Sequence, residues 1–417
     1  MRIIVQKFGG TSVSTPSLRK QAAEHILEAK RQGYSPVVVV SAMGRAGDPY
    51  ATDTLIQLLR TVDGDPDPRD QDLLLSCGEI ISSVIMSGLL KNMGHPAVAL
   101  TGAQAGIITD DKFGDTRIVE VKPDLVLQHL REGKIVVVAG FQGITQNGDV
   151  TTLGRGGSDT TAAALGAALG AEVVEIYTDV DGVMTADPRI VPEARPLKVM
   201  TYREVAEMAH LGAKVVHPRA VEIAMEKGVP LRIKCTFSDA PGTLITDSME
   251  GVEGTTIRSD RVVTGVAHIA NVAQIKIMTG EDVNRSGLVR TVFRALADAG
   301  ISVDIINVFP RMIAFTVSGE VFEKALDILK RRALDSSGLD PSSVDIEGVE
   351  GCAKVSVVGA GMRGVPGVMA TVVEALYASE VPILQTSDSH TSISCLVRKD
   401  DMQKAMRSLH ARFGLGL

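Results

Sequence analysis

Over its first 245 or so residues the chain alternates short, almost unbroken apolar runs with longer stretches of helical pattern. That alternation does most to narrow its choice of folds. The runs fall at residues 3–8, 36–41, 97–101, 135–140 and 173–178, and the helical stretches at 18–32, 71–92, 122–132 and 158–169. A strand that is apolar on both faces must be covered on both faces. The pattern therefore predicts a mostly parallel sheet in a three-layer αβα arrangement. Ligands bind such sheets at the carboxyl ends of the strands. Glycine gathers there: Gly9 and Gly10, Gly140 and Gly143, and Gly182.

From about residue 262 the texture changes to two shorter units that repeat one another. The first reads as strand 274–278, helix 287–298, strands 302–308 and 313–317, helix 321–332 and strand 344–348. The second reads as strand 353–358, helix 365–379, strands 382–386 and 391–397, and helix 400–412. Both follow the ferredoxin-like βαββαβ plan, but the second lacks its last strand. An unassigned strand at 262–268 is expected to supply it, which makes the first unit an insertion in the second. The expected domains are an α/β domain at 1–245, a linker at 246–261, a first small domain at 274–348, and a second at 262–273 plus 349–417.

A chain of 417 residues suits two or three domains. Its net charge is −7 with both signs interspersed, and it has no tryptophan. With neither a basic stripe nor aromatic platforms, nucleic acid is not an expected partner. No uninterrupted apolar run approaches the roughly 18 residues that span a bilayer, so no membrane partner is expected. The chain opens directly on a strand pattern, so no targeting segment is expected either. Cys77, Cys235, Cys352 and Cys395 are scattered without paired spacing. This argues against a zinc site or disulfide framework and for a reduced, cytoplasmic setting, with no resident metal.

Several loops could carry chemistry. Lys7-Phe8-Gly9-Gly10-Thr11-Ser12 follows the first strand, where two glycines let backbone N–H groups approach an anion and Lys7 adds a point charge. An ordinary strand-to-loop turn explains it equally well. In Gly154-Arg155-Gly156-Gly157-Ser158-Asp159, Ser158 or Asp159 is expected to cap the following helix. A cap does not account for an arginine among three glycines, and Arg155 suits bidentate binding of a carboxylate. The stretch from Tyr177 through Asp179, Asp181 and Gly182 to Arg189 reads as a strand end with an Asp-Gly turn, or as a nucleotide pocket. Lys214 lies near a helix end, and Thr52, Asp53 and Glu79 are caps, solvated acids or ligands of an amino group. Gly359-Ala360-Gly361-Met362-Arg363-Gly364 matches a dinucleotide fingerprint, but too little chain follows it for further βαβ units. Phosphate-loop, protein-kinase and zinc-protease signatures are absent.

Taken in order, KFGGTS at 7–12, LSCGE at 75–79, GFQG at 140–143, GRGGSDTTA at 154–162, YTDVDGVMTADPR at 177–189 and GAKVVHPRA at 212–220 resemble the aspartate kinases of the amino-acid kinase family. The C-terminal pair resembles that family's ACT regulatory domains, including VGAGMRGVPGV at 358–368. The resemblance implies transfer of the ATP γ-phosphoryl group to the β-carboxylate of L-aspartate. It would be the first step toward lysine and diaminopimelate, threonine and methionine, and it implies Mg²⁺ bound with the nucleotide. Lys7, Phe8, Gly9 and Gly10 would hold the ATP phosphates. Thr178, Asp179, Asp181, Gly182, Val183, Met184, Arg189, Lys214 and Val215 would line the nucleotide pocket. Arg155 would grip the aspartate α-carboxylate with Ser158, while Ser12, Thr52 and Glu79 help to hold the substrate. Asp159 would lie beside the reaction centre, making it and Lys7 the catalytic pair.

ACT pairs of this kind imply a homo-oligomer, dimeric through these domains, with an amino-acid effector bound near the loops after each first strand. The residues concerned are Asn284, Ser286 and Gly287, then Val365 and Gly367, with Thr386 and Ser387 nearby. Relatives sensitive to lysine or threonine commonly carry an Asp-x-Pro-Gly type of loop where this chain has Asn284 and Ser286. The tract 383–391, with Gly44, Asp48, Pro49 and Tyr50, is more similar to the diaminopimelate-sensitive bacterial isoenzyme. Meso-diaminopimelate is therefore the first expected effector and lysine the second. Sibling kinases of glutamate, acetylglutamate, carbamate or UMP would share the glycine-rich machinery but not the LSCGE and GRGGSDT pair with ACT repeats. An idle sensing subunit, begun for instance at Met249, does not fit intact Lys7, Arg155 and Lys214.

Overall fold

The structure, a computed structural model, describes residues 1–213, 215–247, 262–280, 285–333, 344–362 and 364–417. They form two compact units. The first holds Met1–Val183, Pro196–His210 and residues 215–247; the second holds Met184–Arg195, Leu211–Ala213 and the described residues from 262 onward.

In chain order the strands of the first unit are β1 (Arg2–Phe8), β2 (Tyr34–Val40), β3 (Ala97–Leu100), β4 (Ile107–Thr109), β5 (Ile118–Val121) and β6 (Ile135–Ala139). There follow β7 (Gln142–Ile144), β8 (Val150–Thr152), β9 (Val173–Thr178), β10 (Val199–Met200), β11 (Leu231–Cys235) and β12 (Thr243–Ile245). Its helices are α1 (Pro16–Arg31), α2 (Thr52–Arg60), α3 (Pro68–Asn92), α4 (Asp124–Arg131), α5 (Gly157–Leu169), α6 (Tyr202–His210) and α7 (Pro218–Lys227). The expected mostly parallel sheet is present, eight strands in the order β10-β12-β11-β9-β1-β2-β6-β3, with β11 and β12 its antiparallel pair. Val37–Val40 and Ile135–Ala139 are wholly or almost wholly removed from solvent, as strands covered on both faces must be. A second small sheet, β5-β4-β7-β8, comes from strands of three or four residues.

Helix starts follow local chemistry. Thr15 and Asp67 accept backbone N–H bonds at the heads of α1 and α3, each followed by proline at the first helical position. By length and composition the 25-residue α3 could cross a membrane, although no uninterrupted apolar run announces it. It instead buries Asp72, Ser76, Glu79, Ser82, Ser83 and Ser87 along with Leu75, Met86 and Leu90, so its buried face is that of a polar-lined core helix of this unit.

In the second unit β13 (Gly265–Thr279), α8 (Arg285–Asp298), β14 (Asp304–Phe309), β15 (Met312–Ser318), α9 (Phe322–Ile328), β16 (Val344–Val358), α10 (Val368–Ala378), β17 (Gln385–Asp388), β18 (Ser392–Arg398) and α11 (Met402–Arg412) follow one another. The six strands make one sheet, β14-β15-β13-β16-β18-β17. Here the sequence misleads. The separate strands read at 262–268 and 274–278 are two halves of β13, and those at 344–348 and 353–358 are two halves of β16. Register shifts between Ile269, Val272 and Gln274 let β13 bend without leaving the ladder, which is what a bulge does. Gly265–Ile269 pairs with Lys354–Val358, next to β18.

Met184–Arg195 packs into this unit. Ala186, Ile190 and Val191 share a core cluster with Val266, Leu409 and Leu415. Thr185 Oγ1 lies 2.9 Å from His410 Nε2, and Arg407 Nε donates to the Ile190 carbonyl at 2.8 Å.

Candidate active site

A cavity of about 460 Å³ opens in the first unit where the carboxyl ends of β1, β2 and β6 meet the start of α5. β1 supplies Lys7, the turn after it Gly10, and the loop after β2 supplies Ser41, Ala42, Gly44 and Arg45. Thr52 and Asp53 come from the head of α2, Glu79 from α3, Phe141 from the turn between β6 and β7, and residues 154–159 from the glycine loop and the start of α5. Gly10 has no alternative: a Cβ there would lie 2.5 Å from the Ala42 carbonyl oxygen. Phe141, with φ at 68°, is a non-glycine residue in the left-handed region, a strained conformation of the kind found at ligand sites.

The glycine loop differs from expectation. Neither Ser158 nor Asp159 caps α5; Gly156 occupies the cap with φ at 72° and no side chain covers the first turn. The two polar side chains are engaged elsewhere. Ser41 Oγ donates to Ser158 Oγ at 3.0 Å, and Asp159 Oδ2 accepts the His217 N–H at 3.3 Å. The uncovered head of a 13-residue helix attracts an anion.

Lys7 Nζ and Asp159 Oδ1 form an ion pair at 2.7 Å, their side chains 13% and 12% exposed. Oδ1 receives no well-angled hydrogen bond, so Lys7 satisfies it as a charge rather than a directed donor. Glu79 is more deeply placed. Its Oε1 accepts the Ala42 N–H at 3.0 Å while Oε2 is buried without a partner. Burial pushes its carboxyl group up to about 8, opposed by the Ala42 bond. Burial also lowers His217, and the nearby Asp159 carboxylate opposes that shift. Arg155 is exposed and makes no ion pair among the described residues. Arg45 reaches Asp179 at 3.6 Å in an exposed pair of little intrinsic strength. The cavity thus offers two cations near its mouth, a lysine held by a carboxylate, and a buried carboxyl group with one oxygen free.

The amino acid kinase family model matches residues 2–235, and an ACT domain model matches residues 347–411. Aspartokinase 1 of Bacillus subtilis is 51% identical over 415 residues, covering the whole of both chains. The chain belongs to the aspartokinases. An aspartokinase of Corynebacterium glutamicum is 43% identical over the whole chain and 97% of the relative. The structure of E. coli aspartokinase III with aspartate and ADP is similar at a TM-score of 0.75 and 26% identity, covering 99% of each chain. The same enzyme with lysine and aspartate gives 0.76 at 26% identity and equal coverage. Membership fixes the enzyme class: a kinase that phosphorylates aspartate, joined to ACT regulatory sequence.

Not every residue expected of an aspartokinase site reaches the cavity. Lys7, Gly10, Thr52, Glu79, Arg155, Ser158 and Asp159 do. Ser12 does not: it is fully buried and its hydroxyl lies 2.7 Å from that of Thr236. The Phe8 side chain is core, stacked on Tyr177 at 4.6 Å, so any contact with phosphate would be through its backbone. Gly9 precedes the 3-10 turn Gly10–Val13 without a side-chain cap. On the nucleotide side, Thr178 ends β9 and its hydroxyl donates to Asp179. Asp181 accepts from Ser238, and Gly182 and Val183 pack against Thr243, which accepts the Val183 N–H at 2.8 Å. Met184 and Arg189 fall in the second unit, where Arg189 pairs with Asp187 at 2.7 Å. Val215 is half-buried, and Lys214 lies outside the described residues.

Of the effector residues, Asn284 lies outside the described residues, Ser286 and Gly287 lie in the first turn of α8, and Val365 is exposed. Gly367 caps α10 with φ at 93°, and Thr386 and Ser387 are half-buried on β17. Ser41, Arg45 and the buried Asp72 escaped the sequence reading. Nothing local distinguishes them from loop and first-turn residues.

Proposed function

We propose that this cavity holds L-aspartate beside the γ-phosphate of ATP and that the product is 4-phospho-L-aspartate. One observation carries the reading: an arginine, a lysine and a buried carboxyl group with a free oxygen converge on one cavity. Those groups complement a zwitterionic dicarboxylate next to a phosphate. Arg155 takes the α-carboxylate, with Ser158 and Thr52 beside it, and Glu79 Oε2 takes the ammonium. Lys7, the backbone at Gly9 and Gly10, and the uncovered start of α5 take phosphate oxygens. Thr178, Asp179, Asp181, Gly182, Val183 and Val215 carry the rest of the nucleotide.

The acceptor carboxylate is ionised at neutral pH, so no residue need remove a proton. Catalysis rests on aligning two anions in line and offsetting their repulsion. Asp159 holds the Lys7 ammonium in place while it faces the transferring group. Among the described residues no three His, Cys, Asp or Glu side chains cluster as a metal site. The donor set here, lysine, arginine and N–H groups, suits phosphate oxygens, so Mg²⁺ fits as a passenger of the nucleotide with Asp159 as the nearby carboxylate. When bound, it would supply positive charge to offset that of the transferring phosphoryl group.

The ACT unit makes the chain feedback-regulated and a homo-oligomer, dimeric through that unit. Meso-diaminopimelate is the first-ranked effector, on the similarity of tract 383–391, and lysine the second. A reduced cytoplasmic setting accords with four free cysteines. The test is turnover of ATP with aspartate, titrated with diaminopimelate, lysine and threonine. Arg155→Ala is expected to raise the aspartate KM about tenfold or more, with a smaller effect on ATP. Unchanged aspartate saturation would remove Arg155 from the substrate site, and inhibition by lysine alone would reverse the effector ranking.

A further inference from the structure

Asp72 is fully buried on α3, seven residues before Glu79, and nothing in the chemistry above uses it. Its Oδ2 accepts the Thr152 N–H at 2.8 Å and the Gly114 N–H at 3.0 Å. Its Oδ1 accepts the Thr152 hydroxyl at 2.6 Å and approaches the same Gly114 N–H at 3.1 Å. A carboxylate taken out of water is tolerable only when saturated with donors, and this one is saturated by neutral groups. Burial raises its carboxyl value, and the bonds from Thr152 and Gly114 pull it back.

Both anchored residues are cavity wall. Thr152 ends β8, three residues before Arg155, and the chain between them has little freedom. Leu153 N donates to the Phe141 carbonyl at 2.8 Å, and the Leu153 carbonyl accepts Arg219 Nη1 at 3.0 Å. Arg155 then stands between Gly154 and Gly156, with φ at 69° and 72°. Its side chain makes no ion pair of its own among the described residues, so the backbone beneath it sets the point from which it reaches into the cavity. That backbone is bolted to α3 through Asp72, and the same helix delivers Glu79 to the same cavity.

We propose that Asp72 is a positioning residue for aspartate: by pinning Thr152 and Gly114 to α3 it fixes the distance between Arg155 and Glu79. One helix thereby sets the spacing between the cation for the substrate carboxylate and the carboxyl group for its ammonium. The inference rests on the reading of Arg155 as the carboxylate ligand, and a double-mutant cycle separates the two.

Asp72→Asn keeps the side-chain shape but replaces one acceptor oxygen with a donor. It is expected to raise the aspartate KM about tenfold, with kcat and the ATP KM changed less than about threefold. In an Arg155→Ala background the same substitution should add almost nothing, because the group it positions is gone. If the two effects multiply, or if Asp72→Asn weakens ATP and aspartate alike, Asp72 is merely structural and the inference fails. If Arg155→Ala leaves the aspartate KM unchanged, the underlying reading fails instead and takes the inference with it. Thr152→Val removes only the hydroxyl bond to Asp72. Run through the same cycle, it decides the matter should Asp72→Asn not fold, with a rise of about threefold expected alone and none in the Arg155→Ala background.

Discussion

Glu79 offers a perturbation whose size follows from its surroundings. Its carboxyl group has an ordinary value of 4.5, and burial raises it to about 8 in the folded chain. The folded chain therefore keeps a proton that the unfolded chain releases between those values. Stability is undiminished below pH 4.5 and falls as pH rises toward 8. A shift of this size has a ceiling of about 5 kcal/mol at about 1.4 kcal/mol per unit, of which about 2 kcal/mol is lost between pH 6 and 8. Glu79→Gln cannot ionise, and its carbonyl oxygen can still accept the Ala42 N–H. In urea denaturation of the ligand-free protein, the variant should gain about 2 kcal/mol on the wild type between pH 6 and pH 8.

Substrate binding moves in the opposite sense, because only the ionised carboxylate attracts the aspartate ammonium. About 1% of Glu79 is ionised at pH 6 and about half at pH 8, so the wild-type aspartate KM should fall as much as fifty-fold across that range. The Glu79→Gln KM should be higher at pH 8 and nearly flat. A flat wild-type KM, or a stability difference that does not change with pH, would refute the reasoning.

Lys7→Ala should lower kcat by about 100-fold or more while leaving aspartate saturation nearly intact, as steady-state kinetics would show. It should also lower the denaturation temperature, since Asp159 Oδ1 loses its ion partner. Gly156→Ala places a Cβ 2.2 Å from the His217 ring at a φ of 72°, so it should cost about 2 kcal/mol or more and depress turnover. A variant with wild-type stability would show that this loop relaxes freely.

Much of the fold was legible because its strands are buried on both faces. Val37–Val40 and Ile135–Ala139 can hardly be anything but central strands. Less legible were β4, β5, β7 and β8, too short to show a period, and the two long strands whose bulges mimic breaks. Lys7, Glu79, Arg155 and Asp159, named from separate motifs, line one cavity because strand end, glycine loop and facing helices meet there. The expected cap for α5 is wrong because Ser158 and Asp159 are good caps in isolation. Their partners, Ser41, Lys7 and His217, are distant in the chain. Asp72 was invisible for the same reason. In Pro68-Arg69-Asp70-Gln71-Asp72 it reads as a solvated acid near a helix start, and its donors lie 42 and 80 residues away.

The membership of Met184–Arg195 and Leu211–Ala213 in the second unit has a consequence for anyone who would take the enzyme apart. Cutting the gene at residue 247 does not liberate a self-sufficient kinase half. The shortened product would carry Ala186, Ile190 and Val191, now 3%, 7% and 1% exposed, stripped of Val266, Leu409 and Leu415 that cover them. It would also strand the Ile190 carbonyl that Arg407 now satisfies. Such a fragment should be sticky, and a regulatory half transplanted from another aspartokinase should function best when these two stretches travel with it.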